Sequence, residues 1–158
     1  MRKRSLALSL IVLACSISSV RGTEKKANAF QHAEYMPSTT TGQKKAAPAI
    51  KGTLSFDSDS KSVDFLDGKG AHAFSIKYDT IKTLLYERTS KPRYAEAILI
   101  SPLFILAHSK QHFLTIQYAD ASGAGQFVIV HLDKKNAREI VALAEAQTGR
   151  KVEQVEEK

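Results

Sequence analysis

Residues 98–118 read ILISPLFILAHSKQHFLTIQY, the most apolar stretch of the chain after its first twenty residues. Three readings compete for it: a membrane segment, a site built around His108 and His112, and the core of a β-fold. As a helix, Ile98–Ala107 would span roughly 15 Å, about half the hydrocarbon core of a bilayer. Pro102 also lacks a backbone donor and breaks a helix interior. As a strand the same residues reach about 33 Å, and Pro102 then marks a bulge or an edge position. The segment HFLTIQY alternates, with Leu114, Ile116 and Tyr118 on one face. The whole stretch therefore reads as two antiparallel strands, about 95–107 and 112–119, joined at HSKQ. The first is apolar on both faces, with Ile98, Ile100, Phe104 and Leu106 on one and Leu99, Leu103 and Ile105 on the other. One face enters a core. The other needs cover from a helix, the N-terminal segment, a partner or lipid, which makes Leu99, Leu103 and Ile105 the candidate interaction surface.

The same strand-and-turn rhythm extends outward from this stretch. GTLSFD, SVDFLD, AHAFSIKYD, IKTLLYERT and GQFVIVHL are short runs rich in β-branched and aromatic residues, separated by Gly, Asp, Ser and Pro. With the two strands above they make seven. After Leu132 the apolar period changes from two to 3.6 residues. Ala137, Ile140, Val141 and Ala144 follow the i, i+3, i+4, i+7 spacing of an amphipathic helix over about 133–148. Asp133 suits its N-cap and Gly149 its left-handed stop. The charged tail 150–158 is expected to fray. Thr23 to about Ile50 lacks a sustained apolar period and is rich in Lys, Ala, Thr and Gln, so 23–50 reads as a disordered tether.

The first residues read as an address. MRKR is a charged n-region, SLALSLIVLA a short apolar h-region, and small residues follow, the build of a secretory signal over 1–22 with cleavage before Thr23. The alternative ending is Val12-Leu13-Ala14-Cys15, which resembles a bacterial lipoprotein box and would make Cys15 the lipidated first residue, with Leu13 larger than usual there. Either way the chain is expected to be secreted or periplasmic, or lipid-anchored to the envelope, with any membrane anchoring through the N-terminus only. Cys15 is the only cysteine. A mature chain starting at Thr23 has no disulfide, thiol nucleophile or thiolate metal site.

Charge argues against nucleic acid. The formal net charge is +7, and removing Arg2, Lys3, Arg4 and Arg21 leaves +3 for residues 23–158. The remaining basic residues are interspersed with acids rather than gathered into a stripe.

Seven strands followed by one amphipathic helix resemble a pleckstrin-homology-like barrel, the group that includes GRAM domains, over about 52–149. The resemblance is one of order and length. It implies a mainly β (α+β), partly open antiparallel barrel capped by the C-terminal helix, and a binding or scaffold role. The family's basic loop between its first two strands is matched here, on this count, by Asp57-Ser58-Asp59-Ser60-Lys61, which is more acidic than basic.

Chemistry-bearing residues are sparse. Asp57 and Asp59 begin like a calcium loop, but Lys61 and Ser62 stand where further ligands and the glycine belong. The bland reading is a hairpin turn stabilised by Asp and Ser. His108 and His112 lack the general-base Glu of a helical zinc motif and would bracket a turn, where a third ligand would still be needed. His131 reads as a partly buried strand residue. No serine sits in a G-x-S-x-G elbow. Asp79 and Glu87, with Tyr78 and Tyr86, are the least implausible cleft candidates for a cryptic hydrolase. The expectation is a non-enzymatic binding or adaptor module with no catalytic residues, no metal and no cofactor, and a protein or lipid partner. The alternative is a small apolar-ligand or lipid carrier with a cavity lined by Phe74, Ile76, Leu114 and Ile116.

Overall fold

The computed structural model describes residues 28–37, 47–96 and 110–156. The strands are β1 (Asn28–Met36), β2 (Ile50–Asp57), β3 (Ser62–Asp67), β4 (His72–Lys77), β5 (Ile81–Thr89), β6 (Gln111–Ala119), β7 (Gly125–Leu132) and β8 (Val152–Glu156). One α-helix, α1 (Ala137–Thr148), lies among the described residues, with two short 3-10 turns at Tyr78–Thr80 and Arg93–Glu96. The strands form a single eight-stranded sheet in the order β4-β3-β2-β1-β7-β6-β5-β8. Every pairing is antiparallel except β5 with β8.

The sheet does not close, yet it has one main core. Leu54 and Phe56 of β2, Val63 and Phe65 of β3 and Ile76 of β4 share it with Leu84 and Tyr86 of β5, Leu114 and Ile116 of β6, and Val128, Val130 and Leu132 of β7. Ala137, Ile140, Val141 and Ala144 of α1 complete it, the four positions that the helical period selects. Each large apolar side chain buried this way contributes about 1.5–3 kcal/mol. The architecture is mainly β (α+β), one unclosed, mixed eight-stranded sheet with a single helix near the C-terminus among the described residues, which is compatible with the expected partly open, pleckstrin-homology-like barrel.

The alternation of the sheet gives a second apolar face. Met36, Phe113 and Ile129 form a smaller buried cluster, with Tyr94 and Phe127 packed against it. Leu85, Glu87 and Thr115 are also buried and, by strand alternation, point the same way.

Four boundaries differ from expectation. The tether over 23–50 is corrected at Asn28–Met36, which is a strand lying between β2 and β7. Its buried residues are Phe30, Ala33 and Met36, three apart rather than two, because the register with β2 shifts between Phe30 and Ala33. His32 sits at that bulge with φ 62°. An extra residue in a bulge erases the period-two signal. With β1 present, Asp57–Lys61 joins the second and third strands.

The helix starts at Ala137, not near Asp133. Asp133 instead organises the turn before it: its Oδ1 accepts the Lys135 N–H at 2.7 Å and its carbonyl accepts those of Asn136 and Ala137 at 3.0 Å. The tail expected to fray contains β8, which pairs with β5 from Leu84↔Val152 to Arg88↔Glu156 and buries Val152. Gly149 does close α1, with φ 65° and its N–H on the Glu145 carbonyl at 3.0 Å. Finally, the run AHAFSIKYD is strand only in part: β4 ends at Lys77 and Tyr78 opens a 3-10 turn. Most of the expected strand at 95–107 lies outside the described residues. The sheet pairs β5 directly with β6.

Candidate functional site

Among the described residues β4 pairs on one side only, with β3. Its other edge presents backbone N–H and C=O groups to whatever approaches, a template for a further strand. The register of β3 with β4 shifts between Phe65 and Leu66: Phe65 faces Phe74, Leu66 faces His72, and Ala73 is the extra residue. That shift sets Phe74 beside Phe65. The two rings stack at 5.6 Å and 29°. Tyr35, near the end of β1, meets Phe74 edge-on at 5.1 Å and 75° and lies 5.9 Å from Phe65.

Phe65 is fully buried, while Tyr35 and Phe74 are only partly so. Ile50, Ala73 and Tyr118 are likewise partly buried against the main core. Burial, and next the nearby Tyr118 phenol, push the Tyr35 hydroxyl above its ordinary value. Tyr35 is therefore a neutral ring with a donor, an amphipathic anchor of the kind enriched at interfaces. Along β4 the exposed residues are His72, Ser75 and Lys77. Gly52 makes the arrangement possible, since β3 runs so close that a Cβ there would lie 2.7 Å from the Phe65 ring. The site is thus a strand edge unpaired among the described residues, beside an aromatic cluster in which Phe65 is buried and Tyr35 and Phe74 are partly buried.

The ionisable groups lie elsewhere and do not converge. The Tyr86 hydroxyl and His112 Nδ1 share a hydrogen bond at 2.5 Å, with their rings stacked 5.9 Å apart. Burial raises the Tyr86 hydroxyl and lowers His112, the latter helped by Arg88 and Lys134. Both groups are then neutral at pH 7, so Tyr86 donates to Nδ1. Tyr86 also lines a groove of about 270 Å³ with Arg138, Val141, Ala142, Glu145 and Gln154.

Glu87 belongs to the opposite face. Its carboxylate accepts the Arg93 backbone N–H at 3.1 and 3.3 Å and lies 3.6 Å from Arg93 Nε. Arg93 also reaches Glu153 of β8 at 3.4 Å. Burial nonetheless holds the Glu87 carboxyl above its usual value. Beside it Tyr94 packs on Phe127 at 5.4 Å and accepts a hydrogen bond from Gln117 Nε2.

Asp79 and Tyr78 line one cavity and Tyr86 another, and Glu87 lines neither, so the cleft pairing of these four is not assembled. Asp57 Oδ1 accepts the Asp59 N–H at 2.8 Å and the Ser60 N–H at 3.3 Å, the local turn bonding that the hairpin reading requires. No group of three His, Cys, Asp or Glu able to hold a metal occurs among the described residues. His131 Nδ1 lies 3.5 Å from Glu34, whose carboxylate also meets Lys51 at 3.7 Å. The proposed surface residues Leu99, Leu103 and Ile105, the lipidation candidate Cys15 and His108 lie outside the described residues. Sequence reasoning missed Tyr35 because it discounted the strand carrying it. Phe74, expected in a cavity lining only on the carrier alternative, is partly buried on β4, the last strand of the sheet among the described residues, a place that its own alternation does not reveal.

No family model and no curated protein matches the chain. Among solved structures, a chain in "Structure of the Spt16D Pob3N heterodimer" is similar over 82% of this chain and 54% of that one, at 10% identity and a TM-score of 0.49. This chain thus spans about half the length of that one. No helix among the described residues is long and apolar enough to cross a membrane.

Proposed function

We propose that the protein is a non-enzymatic binding or adaptor module, exported to a bacterial cell envelope, that holds an extended segment of a protein partner along β4. The observation that carries this reading is the open β4 edge lying beside Phe74 and Tyr35. An added strand gains main-chain hydrogen bonds from the edge, and its alternate side chains meet the rings, the two components of strand-addition recognition. Export rests on the MRKR and SLALSLIVLA pattern at the start of the chain.

The packing favours an adaptor over a carrier. Ile76, Leu114 and Ile116 are 2%, 0% and 0% exposed and sit in the main core. The described cavities are lined by other residues. Native mass spectrometry of the full chain purified from its host separates the two. A retained polypeptide that is lost in Phe74→Ser, with an unchanged circular dichroism spectrum, is the expected result. A retained lipid unaffected by Phe74→Ser overturns the proposal in favour of the carrier.

A further inference from the structure

The sheet has two ends, with β4 at one and β8 at the other. Among the described residues each pairs on one side only, β4 with β3 and β8 with β5. Each therefore presents a row of backbone N–H and C=O groups that a further strand would satisfy.

The two edges differ in charge. HAFSIK, the whole of β4, carries His72 and Lys77 and no acid. VEQVE, the whole of β8, carries Glu153 and Glu156 and no base. All four of these side chains are exposed. Lys77 Nζ donates to the Ser60 carbonyl at 2.9 Å, a neutral acceptor that takes one of its three donors. Asp64, which lies opposite Ser75 on β3, accepts the Ser62 hydroxyl at 2.8 Å. Glu153 lies 3.4 Å from Arg93, but both side chains stay more than half exposed, at 57% and 55%. An exposed pair of that kind is weak and leaves the edge acidic.

The side chains also fall on matching faces. Ile76 and Val152 belong to the main core. Lys77 and Glu153 follow them directly in sequence, so by strand alternation both point to the opposite face. When two sheets continue one another with their core faces on the same side, Lys77 and Glu153 therefore share a face. Opposite charges set across two strands attract there, and like charges repel.

Three pairings of edges are open to copies of this chain. β4 with β4 sets Lys77 and His72 against themselves, and β8 with β8 sets Glu153 and Glu156 against themselves. Only β4 with β8 sets a basic edge against an acidic one. We propose that the β4 edge takes β8 of a second copy of this chain, so that the extended segment it holds is the chain's own C-terminal strand. This rests on the reading of β4 as an edge that accepts a strand, and it names the occupant. The contact is heterologous: each copy offers one β4 and one β8, so copies add head to tail into a ring or an open chain.

Sedimentation velocity of the chain purified from its host, over about 10 μM to about 1 mM, reads the assembly. Dimers and longer species that grow with concentration and recede as salt rises are expected. Lys77→Glu and Glu153→Lys should each weaken assembly roughly three- to tenfold. Mixed in equal amounts, the two variants should assemble again, because each offers the other an edge of opposite charge. Recovery on mixing also shows that neither variant lost assembly by misfolding. A chain that stays monomeric over the whole range, a mixture that does not recover, or assembly that both substitutions leave unchanged overturns the proposal. The β4 reading is judged separately by native mass spectrometry: a polypeptide of another sequence, retained by wild type and lost in Phe74→Ser, upholds that reading and, with a monomeric chain, sinks only the self-pairing.

Discussion

Gly52→Ala tests the close approach of β2 and β3 on which the aromatic cluster depends. The backbone at Gly52 is not left-handed, so conformation alone does not require glycine. Removing unfolded-state freedom at a compatible site would stabilise the protein by about 0.4–1 kcal/mol. The structure reverses that sign. A Cβ would lie 2.0 Å from the Leu66 carbonyl oxygen and 2.7 Å from Phe65 Cε1, well inside the 3.4 Å of ordinary contact. Leu66 cannot swing away freely, because Thr53↔Leu66 and Gly52↔Asp67 are ladder positions, and the Phe65 ring is held between Phe74 and Tyr35. Overpacking of this kind costs about 1–3 kcal/mol, and each lost ladder bond adds about 1 kcal/mol. With one ladder bond lost, and after the entropic gain, the net loss is about 1–3.5 kcal/mol. This is a large part of the roughly 5–15 kcal/mol that stabilises a typical domain. Urea titration followed by circular dichroism measures it. Gly68→Ala is the control, since its nearest contact would be the Lys51 carbonyl at 3.9 Å, and it should change stability by less than about 0.5 kcal/mol. If Gly52→Ala matches wild type or exceeds it, β3 does not lie against β2 as described and the placement of Phe65 and Phe74 is wrong.

Three further outcomes follow from buried groups. His112 is depressed chiefly by burial, and so is His131, where Glu34 opposes the shift. Histidines held neutral in the folded state favour unfolding as pH falls below their unfolded value of about 6.5, so their share of stability is lost from there down to their folded values; urea midpoints at pH 7.5 and 5.5 should show a loss that His112→Gln reduces. Glu87 has the opposite sign: its raised carboxyl takes up a proton in the folded state first, so its share of stability rises as pH falls through its folded value towards the unfolded one. Glu87→Gln keeps an acceptor for the Arg93 N–H and should flatten that rise, and an unaltered pH profile would show that the carboxyl is not held in a desolvated place. Val152→Ala should cost about 2 kcal/mol through lost burial and speed amide exchange on β5. Unchanged exchange there would contradict the parallel docking of β8.

Fold class was legible wherever apolar residues recur with the period of the element itself. The period of two in β4 and β6, and the period of 3.6 across Ala137, Ile140, Val141 and Ala144, needed no tertiary knowledge. Two elements broke that rule for identifiable reasons. β1 carries a bulge at His32, so its buried residues recur every three positions. β8 is five residues long, with Glu153, Gln154 and Glu156 exposed and only Val152 fully buried. Its strand character comes from pairing with β5, and no local propensity announces it. The expected strands at GTLSFD, SVDFLD, AHAFSIKYD, IKTLLYERT, HFLTIQY and GQFVIVHL all form, and the sheet adds β1 and β8 to them.

The candidate site was less legible than the fold. Phe74 was visible as an alternating apolar residue, but its partial burial and the company of Tyr35 depend on how β1 and β4 are placed in the sheet. The place of β8 at the other end of the sheet depends on its pairing with β5, far from it in sequence. By itself the sequence determined the strand-rich class, the terminal helix with its Gly149 stop, and the turn at Asp57–Lys61, because each is set by contacts between near neighbours in the chain. Only the tertiary structure decided the order of the strands, the open β4 edge and the burial of Glu87 and Tyr78, because these are set by contacts between residues tens of positions apart.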